Sequence, residues 1–333
     1  MKIIIAFLAL IGYVQAISYA DVLESEWNTF KTEYGKIYEN KDEEQLRRQI
    51  FIDNKEMIDK HNKLYIAGEE TYEMGVNQFT DLLAKEFESL MLPSHNITES
   101  DSLTDFIYTQ PEDVAIPSSI DWRSKGAVTG VKDQGQCGSC WAFAAVGTLE
   151  SQHFIKNRQL ISLSEQNLLD CSSRAPFSNH GCDGGSHARA LQYIQINGGI
   201  DTEQSYPYRA TQQSCRFDKR FIGATVRAIA RVQVNSESSL AAAVAITGPL
   251  SASIHVSRNM QFYRGGVFND PSCDKPTNHA VTVVGYGHDN QGGDYWLVKN
   301  SWGSAWGESG YIRMSRNRNN QCRIASNAFY PLV

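Results

Sequence analysis

Beyond Ala16 this 333-residue chain has no apolar run approaching the ~18 residues that a membrane-spanning helix needs. It holds only nine prolines and no internal repeat, and its make-up excludes collagen-like, coiled-coil and wholly disordered chains. No helix or loop concentrates its 31 lysines and arginines, so neither nucleic acid nor a membrane is expected as a partner. Cysteine is missing from the whole first part of the chain; all seven (Cys137, Cys140, Cys171, Cys182, Cys215, Cys273 and Cys322) lie beyond Gln136. No second Cys-x-x-Cys or His-x-x-x-His pair accompanies Cys137 and Cys140, which argues against zinc. No parallel βαβ pattern surrounds them, which argues against a thioredoxin-like redox pair. No metal or organic cofactor is expected.

What is present describes a globular protein, with 41% hydrophobic and 20% charged residues, long enough for two lobes. The net charge of −6 conceals an asymmetry. Residues 17–115 carry 22 acidic and 9 basic side chains, net −13, whereas residues 116–333 carry 15 and 21, net +6. One half of the chain is thus a suitable electrostatic partner for the other. Lys2, the apolar run Ile3 to Val14 and the ending Val14-Gln15-Ala16 have the layout of a secretory signal peptide over 1–16. That places the protein in an oxidising compartment, where six of the cysteines can form three disulfides and one is left over. An unpaired thiol in a secreted protein calls for a reason, and a reactive nucleophile is one. Asn96-Ile97-Thr98 is the only glycosylation sequon.

Residues 21–62 read as helix: Trp27, Phe30, Tyr34 and Ile37 recur at spacings of three and four, and the pattern restarts after Asn40 with Leu46, Ile50, Phe51, Asn54, Met57, Ile58 and His61. Asn40 offers a cap for the second helix. From Leu90 to Ala115 an extended connector is expected, with a boundary at Ala115/Ile116. Helices follow over Cys140–Asn157, Ser164–Leu169 and Ala188–Gln195. From Ala224 alternating runs (Thr225–Ala230, Val281–Val284, Tyr295–Val298) predict strands, interrupted by one helix at Glu237–Ile246. A helical lobe followed by a β-rich lobe is an α+β arrangement, and the cleft between them is the natural site.

Gln134-Gly135-Gln136-Cys137-Gly138-Ser139-Cys140-Trp141 is the most informative stretch. Its glycines bend the chain just before a helix that begins at Cys140. The N–H groups and dipole at that end favour a thiolate, and they also suit an oxyanion formed at a carbonyl under attack. A thiolate needs an imidazole, and the Cys-Gly-Ser-Cys-Trp run has a histidine and an asparagine far downstream, His279 and Asn300. An amide oxygen on one imidazole nitrogen turns the other towards sulfur. Trp302 would shield that bond from water.

Together these segments resemble a papain-family cysteine peptidase of the cathepsin L-like group, as a full-length precursor. The acidic half carries that family's interrupted prodomain pattern, Glu43, Arg47, Phe51, Asn54, Ile58 and Asn62, followed by Gly75, Asn77, Phe79 and Asp81. The resemblance implies a papain-like two-lobe α+β fold with a signal peptide (1–16), an inhibitory prodomain (17–115) whose tail blocks the cleft, and a mature domain (116–333). It implies a Cys140 thiolate nucleophile with a depressed pKa, His279 as acid–base, Asn300 as its orienter and Gln134 as oxyanion donor. It further implies disulfides Cys137–Cys182, Cys171–Cys215 and Cys273–Cys322. Gly184 and Gly185 match the stretch that lies along substrate backbone, and Trp302 and Trp306 the aromatic pair beside the site. Implied partners are protein and peptide substrates, the prodomain as intramolecular inhibitor and cystatin-like inhibitors, with a monomeric enzyme in a lysosome or an extracellular, including digestive, space.

Departures from the family concern specificity. Ala144 stands where a serine is usual, and Asp133 where an asparagine is. The walls of the pocket for the residue two before the scissile bond (P2) match Ser186, His187, Ser253, Thr277, Ala280 and Asn327, where relatives place larger apolar groups. Polar walls predict a shift towards smaller or polar P2 residues. The charge asymmetry predicts prodomain release and self-cleavage near pH ~4, as carboxylates approach their reference pKa. Two rival readings, a non-catalytic scaffold on this fold and an inhibitor acting through the prodomain, fit less well. Cys140, His279, Asn300 and Gln134 all remain, and an intact mature half, 116–333, follows the prodomain.

Overall fold

The computed structural model describes residues 19–93, 104–111 and 114–333. The signal-peptide reading and Asn96 lie outside them. Helix α1 (Tyr19–Glu33) crosses α2 (Lys41–Ile66), where Trp27, Phe30 and Phe51 form a small aromatic core. Asn40 caps α2 by accepting from the Glu43 N–H at 2.9 Å, and Glu43 returns the contact to the Glu39 N–H. The helical pattern overreaches at two places. Ile37 follows the end of α1 and Leu46 faces water on α2, so both are exposed. Strand β1 (Tyr72–Met74) and helix α3 (Ala84–Met91) complete this unit. The buried Asn54 ties it together, donating through Nδ2 to the carbonyls of Thr80 (2.9 Å) and Leu82 (3.0 Å).

Of the connector expected over Leu90–Ala115, Leu90 and Met91 still belong to α3, residues 94–103 and 112–113 lie outside the described residues, and the described part contributes a strand, β2 (Phe106–Ile107). After β3 (Ile120–Asp121) come α4 (Cys140–Asn157), α5 (Glu165–Cys171), α6 (His187–Asn197), β4 (Ile200–Asp201) and β5 (Ile222–Ala224). Helix α4 is buried on every side from Cys140 to Gln152. One side packs on the helical lobe through Trp141, Leu149, Leu168, Leu191 and Ile194, and the other on strands of the second lobe. An amphipathic stripe is therefore not expected of it.

The second lobe holds β6 (Ala228–Arg231), α7 (Glu237–Thr247), β7 (Leu250–Ile254), β8 (Tyr263–Phe268), β9 (His279–Asp289), β10 (Gly293–Lys299), β11 (Tyr311–Ser315) and β12 (Ala328–Leu332). The strand expected over 225–230 is split, because residues 225–227 leave the ladder between β5 and β6. Along the sheet the order is β1-β8-β11-β10-β9-β7-β12-β6-β2, with β3 on β9. Both ends of this order come from the acidic N-terminal part of the chain. β1 covers β8 antiparallel at one edge, and β2 covers β6 in parallel at the other. Paired in this way, neither β8 nor β6 presents a bare edge. Met74, Tyr72, Phe79 and Phe87 enter the same core as Phe262, Trp302 and Trp306. Each such ring or thioether is worth about 1.5–3 kcal/mol of burial.

Candidate active site

Cys140 is the first residue of α4, and it is the free cysteine of the chain. The other six pair as Cys137–Cys182, Cys171–Cys215 and Cys273–Cys322. Cys140 packs with Ala144 of its own helix and with Ala280, the residue that follows His279 on the opposite lobe. His279 opens β9, and its Nε2 meets the Oδ1 of Asn300 at 2.8 Å. Asn300 is held in turn by its backbone N–H on the Gly310 carbonyl. The Trp302 ring lies over the imidazole, with centroids 4.9 Å apart, and is wholly buried. This is the water shield the sequence suggests. Nδ1 of His279 has no hydrogen-bond partner among the described residues, which leaves it as the nitrogen for proton exchange with the thiol.

Burial in the closed precursor sets the charge state of this pair. Desolvation pushes the Cys140 thiol up to about 12, against the pull of the Ala280, Trp141 and Cys140 N–H groups. Desolvation likewise pushes the His279 imidazole down to about 4, against the Asn300 hydrogen bond. Between those values both groups are neutral. The depressed thiol that the resemblance implies is thus not the state of this closed form.

Gln134 is buried, and its side chain is fixed from both ends. Oε1 accepts from Ser301 Oγ at 2.7 Å, which turns Nε2 outward to donate to the Cys137 carbonyl at 2.8 Å and the Met91 carbonyl at 2.7 Å. Its own carbonyl accepts from Tyr208 Oη at 2.8 Å. A prodomain carbonyl therefore occupies the very donor expected to serve an oxyanion. The chain runs on across Gly138, where a Cβ would lie 3.3 Å from the Leu92 carbonyl oxygen and 2.4 Å from that of Cys182. The Cys182 carbonyl is what excludes a side chain at this position, and the prodomain backbone takes advantage of the space that leaves. Ser301, Tyr208 and Met91 were missed by sequence reasoning. Ser301 lay in plain view beside Asn300, but nothing in its type tells a support for Gln134 from an ordinary turn serine.

The residues matched to substrate binding also converge. Gly184 (φ +128°) and Gly185 precede Ser186, the N-cap of α6, and a Cβ at Gly185 would meet the Trp141 ring at 2.4 Å. On the sheet, Ser253 is registered opposite Ala280, and its N–H bonds the Asn327 carbonyl at 2.9 Å. His187 reaches across from α6, with Nδ1 2.7 Å from Ser251 Oγ and Nε2 3.0 Å from Ser253 Oγ. Thr277 lies two residues before His279 and is half-buried. Polar groups thus line this corner.

The contact between the halves is less ionic than their charges suggest. Among the described residues one ion pair, Arg264–Glu73 at 3.4 Å, crosses it. The acidic half pairs with itself instead, as in Lys36–Asp81 and Arg47–Glu86, both at 2.8 Å. Neutral bonds contribute to the docking: Asn77 Nδ2 to the Gln261 carbonyl (2.8 Å), Gln261 Nε2 to the Phe79 carbonyl (3.0 Å) and Gln78 Nε2 to the Trp302 carbonyl (2.7 Å). The Asp105 carboxylate also accepts from the Ile229 N–H at 2.7 Å. No helix among the described residues is long and apolar enough to cross a membrane, and they contain no cluster of metal-ligating side chains.

Residues 116–332 match the papain family cysteine protease profile, and residues 27–87 the cathepsin propeptide inhibitor domain (I29). The chain is 48% identical to cathepsin L1 of Drosophila melanogaster over 99% of its own length and 91% of that protein. It is 46% identical to digestive cysteine proteinase 1 of Homarus americanus, over 92% and 94% of the two chains. Among solved structures, digestive procathepsin L 3 of the Tenebrio molitor larval midgut superposes with a TM-score of 0.86 at 43% identity, covering 94% of this chain and 99% of that one.

Proposed function

The chain belongs to the papain family of cysteine proteases and is a cathepsin L-like endopeptidase made as a proenzyme, and from that premise we propose which residues carry the reaction. Cys140 is the nucleophile. Once the prodomain leaves and water re-enters the cleft, the dipole of α4 and His279 stabilise its thiolate. The thiolate attacks the substrate carbonyl carbon, and the oxyanion takes the Cys140 N–H and the Gln134 Nε2 donor now vacated by Met91. His279 gives its proton to the amide nitrogen, the C–N bond breaks, and the amine leaves. His279 then takes a proton from water, whose oxygen adds to the thioester carbonyl; the C–S bond breaks, the acid product leaves and the thiolate–imidazolium pair is restored. Asn300 keeps the imidazole in the productive orientation throughout.

The observation that carries this assignment is the single unbridged cysteine at a helix N-terminus, packed against Ala280, whose neighbour His279 is already oriented by an asparagine. Maturation near Ala115/Ile116 fits the anchoring of the chain just beyond. There the Pro117 carbonyl accepts from Tyr286 Oη at 2.8 Å and β3 joins β9. Substrates are proteins and peptides, cystatin-like proteins are the expected external inhibitors, and the enzyme acts as a monomer in a lysosomal or digestive lumen. A peptidyl epoxide applied to the matured enzyme tests the assignment. Mass spectrometry should find one label, on Cys140, with loss of hydrolysis. Hydrolysis that survives in Cys140→Ala would refute it.

A further inference from the structure

We infer that Tyr208 is a positioning residue of the oxyanion site, its hydroxyl fixing how far apart the two donors stand. This rests on the protease reading above and concerns a side chain outside the Cys140, His279 and Asn300 set. The two donors, Gln134 Nε2 and the Cys140 N–H, sit at opposite ends of one loop, which turns at Gly135 (φ +57°). The Cys140 N–H belongs to the peptide that joins it to Ser139. Tyr208 Oη lies 2.8 Å from the Gln134 carbonyl and 2.6 Å from Ser139 Oγ, so one hydroxyl holds the loop at both ends.

The direction of both bonds follows from the groups themselves. A carbonyl can only accept, so the phenol gives its one proton to Gln134, and the Ser139 hydroxyl gives its own to Oη. The other acceptor near that hydroxyl, the Cys137 carbonyl, is farther away at 3.4 Å. Ser139 is the N-cap of α4, where a serine ordinarily accepts from an N–H of the first turn, yet here its side chain makes no cap bond. The hydroxyl is turned to Tyr208 instead. Tyr208 is held in its own right: its N–H donates to Glu203 Oε1 at 2.8 Å, and its ring meets Phe143 of α4 edge-on with centroids 4.9 Å apart.

Gln134 is held from the other lobe as well, where its N–H donates to the Ser301 carbonyl at 2.8 Å and its Oε1 accepts from Ser301 Oγ. Ser301 thus aims the amide, and Tyr208 anchors the backbone that carries it. Without the phenol oxygen, the carbonyl of the wholly buried Gln134 loses this partner, and the loop is free to shift towards another donor. Stabilisation of an oxyanion needs both donors within roughly 2.7–3.1 Å of the developing charge, so a small shift lowers the rate without weakening substrate binding.

The test is Tyr208→Phe, which keeps the ring on Phe143 and removes only the oxygen. Matured parent and variant hydrolyse a fluorogenic peptide, with rates taken per active site titrated by a peptidyl epoxide, so a partly folded variant does not distort them. We expect kcat to fall roughly tenfold with KM unchanged, short of the 10²–10³ that loss of a whole oxyanion donor costs. Ser139→Ala, which frees one end of the loop, should give a smaller fall of the same kind. Alkylation of Cys140 by iodoacetamide forms no oxyanion and should keep the parent's rate in both variants. In a Gln134→Ala background Tyr208→Phe should change kcat by less than about twofold, because one of the two donors it spaces is already gone. A kcat equal to the parent's in both variants, a matching loss of iodoacetamide rate, or an undiminished loss in the Gln134→Ala background overturns the inference while leaving the protease reading intact. A parent enzyme with neither epoxide titre nor hydrolysis would instead overturn the protease reading.

Discussion

Phe87→Ala in the full-length precursor should open the latent state. The Phe87 ring lies 5.2 Å from the Trp302 ring at 86° and 5.1 Å from Phe79, and Trp302 covers His279. One ring thus joins prodomain helix, prodomain loop and catalytic shield, with only 2% of its surface exposed. Removing a buried phenyl group costs about 3–5 kcal/mol. Part of that falls on the folding of the prodomain itself; if about 3 kcal/mol reaches docking, the ratio of closed to open precursor falls roughly hundredfold. The assay is maturation at pH 7, followed by gel and by hydrolysis of a fluorogenic peptide from the first minutes. Glu88→Ala, exposed on the same helix, is the control and should leave the rate unchanged. A Phe87→Ala precursor as silent as the parent would refute the view that this aromatic contact holds the cleft shut.

Three further outcomes follow from the geometry. His279 and His187 are held at about 4 and 3, below the ordinary 6.5, so the unfolded chain takes up protons that the folded precursor refuses. Their contribution to stability is intact above pH 6.5 and is lost as pH falls through those values, about 3 kcal/mol for His279 alone. The melting temperature of a Cys140→Ala precursor should begin to fall just below pH 6.5, and a flat profile down to pH 5 would contradict this. Gln134→Ala should lower kcat of the mature enzyme by about 10²–10³ with little change in KM, the mark of a donor used in the transition state. Asn300→Ala should lower kcat by roughly ten- to a hundredfold, because a buried imidazole loses its acceptor and its fixed orientation.

The chemistry was legible in the chain because it resides in residue type and order. An odd cysteine at a glycine-bent helix start, with His279 and Asn300 downstream, has few other readings; His279 and Asn300 are hydrogen-bonded, and Cys140 packs against Ala280, the neighbour of His279. The helices around Trp27 and Ile50 were legible from their apolar spacing, whereas the helix at Trp141 is buried all round and has no such stripe. Ile37 and Leu46 fit the same spacing yet face water, because the prodomain is too small to give every apolar residue a partner. The strand at residues 106–107 exists because β6 offers it an edge, and no local signal announces that. Charge misled in a different manner. Net charge is a sum, and several acidic side chains of the prodomain pair with its own lysines and arginines while amide side chains take part in the docking. The oxyanion donor's partnership with Met91 depends on where the tail crosses, which is a property of the folded pair of domains.

If docking of the prodomain keeps Cys140 and His279 neutral, removing it yields the reactive thiolate. Alkylation of Cys140 by iodoacetamide, followed by mass spectrometry across pH 5–9, measures this directly in precursor and mature enzyme. The mature thiol should react rapidly and almost independently of pH over that range, while the precursor thiol stays unmodified throughout. A mature thiol whose rate climbs only near the ordinary cysteine pKa of ~8.5, or a precursor that reacts as fast, would contradict it.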